Sequence, residues 1–294
     1  MTVPTLSYAA VTPVRDEAEN LPRLAACLVA QTVAPTAWVI VDTGSTDATP
    51  RILRELGAQL PWVTTVSLSK GGGLDRGGPV VRAFQQGMQV LHPRPDLIAK
   101  VDADVSFDED YFERLALAFE RRSSLGIASG SCHEQEDGVW TPRYGTGSSV
   151  WCAARVYRAV CLDRVVPLEE RMGWDGIDVL RANASGWHTE ILVDLPFRHH
   201  RTEGIRDGGR HRKWIVEGRS AYFMGYRPSY LVARSIHRAL ADPFALAMLP
   251  AFVAARIRRE PRFTDSTARR LLREQQRLRN LPLRGREALG RRST

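Results

Sequence analysis

The sequence predicts an α/β protein whose central, mainly parallel sheet is covered by helices on both faces. Short apolar runs alternate with amphipathic segments through the first third of the chain. The connections between them are short, which favours successive strand–helix–strand units. Hydrophobic residues make up 44% and charged residues 25% of the 294 residues. That composition is typical of a soluble globular protein with a sizeable core.

The predicted elements follow one another in a regular order. In the first half we expect strands at 6–11, 37–41, 63–68 and 97–101. We expect helices at 16–30, through Ile52, Leu53 and Leu56, and at 79–91. In the second half we expect a strand at 127–131, a Gly-rich loop or hairpin at 132–150, helices at 154–162 and 175–184, and a strand at 191–194. Internal repeats are not visible.

Two carboxylates one residue apart, Asp102 and Asp104, directly follow the apolar strand at 97–101. Acids at the carboxyl end of a strand in an α/β sheet lie where ligands bind. Two carboxylates there make a poor site for an anion but a good one for a hard divalent cation that carries phosphate. Asp108 and Asp110 have the same spacing, but they open an amphipathic segment, so we expect them to cap a helix.

Positive charge is concentrated near the C-terminus. The chain carries a net charge of +8, and residues 251–294 contain 13 arginines against four acids, so the rest of the chain is nearly neutral. The apolar stretch at 243–255 is shorter than the roughly 20 residues that span a bilayer. We expect it to be either a buried pair of helices or an element lying on a membrane, with a basic helix at 265–279 after it. A basic tail behind an apolar stretch favours an anionic membrane surface over nucleic acid as a partner.

The cysteines predict a reducing compartment. Their spacing shows no metal-binding or disulfide pattern, and the N-terminus has no basic segment followed by an apolar run. We therefore expect a cytoplasmic protein, peripheral on the cytoplasmic face of the membrane if the basic tail binds lipid.

Four motifs occur in a fixed order along the chain. They are Thr12-Pro13-Val14-Arg15-Asp16-Glu17, Val41-Asp42-Thr43-Gly44-Ser45-Thr46-Asp47, the Asp102/Asp104 pair, and Trp174-Asp175-Gly176-Ile177-Asp178. Together they resemble glycosyltransferase family 2, the inverting nucleotide-sugar enzymes with the GT-A fold. The resemblance covers residues 5–205. It implies a catalytic domain over 1–213, with a nucleotide-sugar half at 1–105 and an acceptor half at 106–213, and a mostly helical basic extension over 214–294.

The resemblance also implies a donor site at the edge of the sheet. Asp104 would ligate Mg²⁺ or Mn²⁺, and Asp102 would contact the ribose, the sugar or the metal. Asp42 would face the nucleoside, because Thr43 stands where the family has a second aspartate. His199 or His200 would contact the metal. The remaining donor-binding candidates are Thr12, Pro13, Arg15, Glu17, Arg82 and Arg201.

Asp175 is the candidate general base, since the family places an acid at this helix start beside the acceptor. It would take the proton of the acceptor hydroxyl as that oxygen attacks the anomeric carbon. Asp178 is the alternative base, because it lies three residues further on the same helical face.

The implied reaction is transfer of a sugar from a nucleoside-diphosphate sugar to a glycan or a lipid-linked acceptor, with inversion, in cell-surface polysaccharide or glycolipid synthesis. A sugar-phosphate nucleotidyltransferase is one alternative, although its Gly-rich loop after strand one is missing here. A non-catalytic nucleotide-sugar-binding relative is another, and the intact acids at Asp102, Asp104 and Asp175 argue against it. A dehydrogenase is disfavoured because no GxGxxG follows strand one.

Overall fold

The structure is a computed structural model that describes residues 4–68, 77–143, 150–201 and 209–280. The chain divides into two compact units, Met1–Arg201 and Thr202–Thr294.

The first unit is built on one nine-stranded sheet. Its strands are β1 Tyr8–Val14, β2 Ala37–Asp42, β3 Val63–Ser67, β4 Leu97–Val101, β5 Val105–Phe107, β6 Leu125–Glu136, β7 Val139–Pro142, β8 Ala154–Arg158 and β9 His188–His199. They lie in the order β3-β2-β1-β4-β8-β6-β9-β5, and β7 pairs with β6. The sheet is parallel from β3 to β4, and antiparallel pairing begins at β8. The predicted α/β class is confirmed, with a sheet that is parallel in its first four strands and mixed beyond them.

Helices cover both faces of this sheet. They are α1 Leu21–Val29, α2 Thr49–Gln59, α3 Gly78–Val90, α4 Tyr111–Arg121, α5 Ala159–Val165 and α6 Trp174–Ala184. Alternate residues of the buried strands point to opposite faces, so Ala10 and Ile40 pack with α1 and α4, whereas Val11 and Val41 pack with α3. Helix α3 approaches β1 closely, because a Cβ on Gly87 would lie 2.4 Å from Val11 Cγ1.

The helix predicted at 154–162 is wrong in its first half. Residues 154–158 form β8, which fills the place between β4 and β6, and only then does α5 begin. The segment 153–162 is apolar enough to fit either the hydrophobic periodicity of a helix or that of a strand. Its β-branched and aromatic centre, Val156 and Tyr157, suits a strand that is buried on both faces.

The second unit is helical in its described residues. Its elements are α7 Arg210–Met224, α8 Pro228–Ala239, a 3₁₀ helix at Pro243–Ala247, α9 Met248–Ile257, α10 Ser266–Gln275 and a 3₁₀ turn at Leu278–Asn280. Trp214, Tyr222, Leu231, Met248 and Phe252 form its core. The basic helix predicted at 265–279 is observed as α10, and residues 281–294 of the predicted extension lie outside the described residues.

The apolar stretch at 243–255 packs partly into the helical core, as the buried alternative predicts, and its membrane contact stays a prediction. Met248 and Phe252 are buried in the helical core, while Phe244 and Val253 are exposed. Among the described residues, no helix has both the length and the apolar character needed to cross a bilayer.

Candidate active site

Asp102 and Asp104 lie in the short turn between β4 and β5. The amide of Asp102 donates to the carbonyl of Ala153 at 2.8 Å, and the carbonyl of Asp104 accepts from the amide of His200 at 2.8 Å. The backbone on both sides of the two acids is therefore fixed by the neighbouring chain. Their side chains keep 30% and 11% of their surface exposed.

Lys100 supports the first acid from inside the sheet. Its side chain is 1% exposed, and its ammonium lies 2.5 Å from Asp102 Oδ1. It also donates to the carbonyl of Cys152 at 3.3 Å and lies 5.9 Å from the ring centre of Trp174. Burial alone would lower the pKa of Lys100, but the Asp102 carboxylate raises it above its usual range. Lys100 thus stays charged and holds one oxygen of Asp102 in place.

Two side chains at the end of β9, His199 and Arg201, face Asp104. His199 Nε2 lies 3.5 Å from Asp104 Oδ1, and Arg201 Nη1 lies 3.4 Å from Asp104 Oδ2. Burial opposes ionisation of Asp104, yet the hydrogen bond to His199 and the charges of His199 and Arg201 hold the pKa of Asp104 below its usual range. Burial likewise disfavours the charged imidazole, but Asp104 and Glu134 raise the pKa of His199 to about 10.

Glu134 is a site residue that the sequence did not reveal. It stands opposite His199 in the parallel pairing of β6 with β9, and its Oε1 lies 3.4 Å from His199 Nδ1. Ligand atoms of Cys132, Glu134 and His199 all lie within 4.8 Å of one another. The segment 132–150 was expected to be a loop or hairpin, and β6 extends five residues into it, to Glu136, before a sharp turn into β7. The alternation Cys132-x-Glu134 is a signal, but it becomes visible only once 132–136 is recognised as a strand.

The two adjacent histidines have different surroundings. His200 Nε2 lies 2.7 Å from Ser106 Oγ, and its ring meets the edge of Trp140 at 5.1 Å. His199 is therefore the histidine whose imidazole faces Asp104, and His200 packs at the β5 side.

Arg201 is held by a residue from the start of the chain. Its guanidinium donates to both carboxylate oxygens of Glu17, at 2.9 and 2.7 Å, and Asn20 Nδ2 donates to Glu17 Oε2 at 2.8 Å. Two predicted donor contacts, Glu17 and Arg201, thus pair with each other. The pair also joins the segment after β1 to the one after β9.

The other residues after β1 are placed less favourably for a donor. Thr12 is fully buried, and its hydroxyl accepts from Trp38 Nε1 at 2.9 Å, so its side chain belongs to the core. Pro13 is half-buried, and Arg15 is half-buried with its Nε 3.9 Å from Asp16 Oδ2. The strand alternation that turns Thr12 inward leaves Pro13 and Arg15 at the strand end.

Asp42 stabilises the turn that follows β2. Its Oδ1 accepts from the amides of Gly44 and Ser45, at 3.2 and 2.9 Å, and from the Ser45 hydroxyl at 2.7 Å. Only the second carboxylate oxygen is left for the predicted nucleoside contact. Arg82, on α3, pairs with Glu170 at 2.7 Å, so its charge is compensated on its own surface.

Asp175 lies in the first turn of helix α6. The helix begins at Trp174, directly after Gly173, whose φ of +84° suits glycine. The centre of the Trp174 ring lies near two buried cations, 5.9 Å from Lys100 Nζ and 5.6 Å from Arg155 Cζ. Because Lys100 also holds Asp102, the half-buried Asp175 next to Trp174 is linked to the acid pair through two side chains.

Asp178 is buried beneath the same helix. Arg155 Nη1 donates to its two oxygens at 2.8 and 2.6 Å, and the Tyr157 hydroxyl donates to Oδ2. Asp178 is 1% exposed and Arg155 is fully buried. This burial and these partners favour a structural role for Asp178 over the predicted role of alternative base. Arg155 also donates to the carbonyl of Asp175 at 3.2 Å, which fixes the start of α6.

The sequence profile of glycosyl transferase family 2 matches residues 9–160, which is more than half of the chain and includes β1 to β8. The chain belongs to this family. No curated protein sequence matches closely enough to be compared.

Three solved structures are similar to this chain in fold. S. aureus TarS 1–349 in complex with UDP-GlcNAc aligns with a TM-score of 0.57 and 16% identity over 74% of this chain and 66% of that chain. Mannosyltransferase PcManGT from Pyrobaculum calidifontis, in complex with GDP-Man and Mn²⁺, aligns with a TM-score of 0.56 and 16% identity. That alignment covers 98% of this chain and 86% of the PcManGT chain. GalNAc-T7 with UDP, GalNAc and Mn²⁺ aligns with a TM-score of 0.56 and 12% identity, over 74% of this chain and 48% of the GalNAc-T7 chain. This chain covers 64% of TarS 1–349 in another of its structures. These likenesses confirm the GT-A fold.

The donor set of this family 2 chain fits a divalent cation. Carboxylate oxygens and a deprotonated imidazole nitrogen are ligands that Mg²⁺ and Mn²⁺ accept, so His199 would release its Nε2 proton on binding the ion. Asp104 Oδ1 and His199 Nε2 lie 3.5 Å apart, close to the roughly 3 Å that separates neighbouring ligands on one ion with bonds of about 2.1 Å. The second nitrogen of His199 faces the Glu134 carboxylate, the arrangement that orients a ligating histidine in metal sites.

Proposed function

We propose that this protein transfers a sugar from a nucleoside-diphosphate sugar to an acceptor hydroxyl with inversion of the anomeric carbon. The observation that carries the proposal is the linkage of the Asp102/Asp104 turn to Asp175 through Lys100 and Trp174. This linkage supports a site in which a cation-binding acid pair and a separate, half-buried acid act together at the edge of the sheet, where α/β proteins bind ligands.

The acid pair and its neighbours would bind the diphosphate of the donor. Mg²⁺ or Mn²⁺ held by Asp102, Asp104 and His199 would stabilise the negative charge that gathers on the leaving diphosphate. Arg201, fixed by the bidentate pair with Glu17, is positioned to donate to phosphate oxygens. Lys100 fixes Asp102.

Asp175 would act as the general base. It lies in the first turn of α6, and its backbone is fixed by Arg155. It would remove the acceptor proton while the oxygen attacks from the face opposite the leaving diphosphate, and a single displacement of this kind inverts the configuration. We assign Asp178 the role of positioning residue, because it neutralises the arginine that holds Asp175.

The reaction is tested by incubating the protein with Mn²⁺, a panel of nucleoside-diphosphate sugars and candidate acceptors. We expect release of nucleoside diphosphate, with turnover lost in Asp175→Asn and retained in Asp163→Asn, an exposed acid on α5. Consumption of a nucleoside triphosphate with sugar phosphate would instead identify a nucleotidyltransferase. Nucleotide-sugar binding without turnover in any combination would identify a non-catalytic relative.

We further propose that the protein is peripheral on the cytoplasmic face of a membrane and serves cell-surface polysaccharide or glycolipid synthesis, with a catalytic domain over 1–213 and a lipid-binding extension over 214–294. Exposed large apolar side chains support the lipid contact. Seven of the twelve in the described residues fall between Val232 and Ile257, including Leu240 at 84% and Ile257 at 75% exposure. Exposed apolar groups beside arginines suit an anionic lipid surface better than water.

Sedimentation with phosphatidylglycerol vesicles tests the lipid contact. We expect Leu240→Asn combined with Ile257→Asn to weaken binding strongly. Val29→Asn combined with Val139→Asn removes two exposed apolar side chains from the first unit and should leave binding unchanged. Equal binding of both double variants would contradict the assignment.

A further inference from the structure

Five arginines of the second unit line one groove. It runs between α10 and the residue before α8, and its volume is about 470 Å³. The arginines are Arg227, Arg269, Arg270, Arg273 and Arg277, with Glu274 as the acid among the lining residues.

The five guanidinium groups lack carboxylate partners within the described residues. Arg227 Nε donates to the carbonyl of Arg273 at 2.5 Å, and Arg269 Nη1 donates to the carbonyl of Phe263 at 3.4 Å, so both contact backbone oxygens. The Nε of Arg269 is buried without a hydrogen-bond partner in that part of the chain. Other arginines of this unit differ, as the pair Arg234–Glu217 at 2.8 Å illustrates.

The spacing of these arginines is unfavourable for the helix by itself. Arg269 and Arg273 stand four residues apart on α10, where like charges repel. A cation in the last turn is stabilised by the helix dipole, which accounts for Arg273 but not for Arg269 or Arg270 in the first half of α10. A bound anion would remove this repulsion.

We propose that the arginine groove binds a phosphate-bearing anion, either the phosphate of a lipid headgroup or a soluble phosphate compound. Guanidinium forks pair with phosphate through parallel, charge-assisted hydrogen bonds, and several converge here. The volume is in the range of small-ligand sites. The residues of the groove belong to the second unit, and the proposal stands or falls independently of sugar transfer.

The test compares two double variants that lose equal charge. Arg270→Gln with Arg273→Gln alters the groove, whereas Arg54→Gln with Arg121→Gln removes two exposed arginines of the first unit. Pyrophosphate is titrated calorimetrically into each protein in the presence of EDTA, so that binding through divalent metal is excluded. In a second arm, each protein is sedimented with phosphatidylcholine vesicles that contain phosphatidic acid.

We expect the groove variant to bind the phosphate probe at least about tenfold more weakly than the wild type, and the control variant to bind it like the wild type. Pyrophosphate binding without vesicle binding would assign a soluble phosphate. Groove-dependent vesicle binding that pyrophosphate competes away would assign a lipid headgroup. Equal affinities of all three proteins in both arms, or an equal loss in both variants, would overturn the proposal.

Discussion

Replacing Asp178 with Asn keeps the shape of the side chain but removes the charge that neutralises Arg155. The guanidinium is fully buried and has no other acid at hydrogen-bond distance among the described residues. Removing one partner of a buried ion pair costs about 3–5 kcal/mol, because the remaining charge is left uncompensated away from water. An Asn oxygen still accepts one hydrogen bond, so we expect about 3 kcal/mol. That is a large share of the roughly 5–15 kcal/mol that stabilises a typical domain.

Urea unfolding followed by tryptophan fluorescence measures this loss. The double variant Arg155→Met with Asp178→Leu removes both charges and should recover most of the stability. Asp175→Asn, on the exposed side of the same helix, should change the unfolding free energy by less than about 0.5 kcal/mol. If Asp178→Asn unfolds like the wild type but loses turnover, Asp178 takes part in the chemistry and its structural assignment is wrong.

Three further predictions follow from local contacts. Gly87→Ala should destabilise the protein by about 1–3 kcal/mol, because the new methyl overpacks against β1. Gly57→Ala should stabilise α2 by about 0.5–1 kcal/mol, because no atom lies within 4 Å of the new methyl. Thermal melts that rank the two variants otherwise would contradict this. Hydrogen bonds from the Ser7 hydroxyl and amide lower the pKa of Asp96. The ionised Asp96 therefore stabilises the folded state above the pKa of about 3.9 that Asp96 has in the unfolded chain. This stabilisation is lost as the pH falls through the lower pKa of Asp96 in the folded protein. Asp96→Asn should therefore reduce the decrease of the unfolding free energy with falling pH in the acid range. Glu134→Gln should weaken Mn²⁺ binding by about ten- to a hundredfold in calorimetry, since it orients a ligating histidine, and an unchanged affinity would contradict that role.

The parallel half of the fold was predictable because the hydrophobic periodicity of each of its segments fits only a strand or only a helix. Apolar runs that end in Asp42 and Asp102 mark the sheet edge directly. The antiparallel half was less accessible. The residues of β8 are apolar enough to form a buried helix as well as a strand. They form a strand because they pair with β4 on one side and β6 on the other, and this tertiary pairing is not visible in the local sequence.

The candidate site was predictable in its acids but not in its supporting contacts. Motif spacing identified Asp102, Asp104 and Asp175. It could not show that Asp178 would be neutralised by Arg155, because the two meet only when β8 packs beneath α6. Long-range pairing also brings Glu134 to the site, through the register of β6 with β9.

Binding of a nucleoside diphosphate in the presence of Mn²⁺ tests the central claim most directly. UDP and GDP are titrated calorimetrically into the wild type, Asp104→Asn and Asp108→Asn. Asp108 serves as the control because it also belongs to a pair of acids one residue apart, but it is exposed and paired with Arg198. We expect tight, Mn²⁺-dependent binding of one nucleotide by the wild type and by Asp108→Asn, and at least about a tenfold loss in Asp104→Asn. Equal Mn²⁺-dependent affinity in Asp104→Asn and the wild type would contradict the assignment of the metal and donor site to the end of β4.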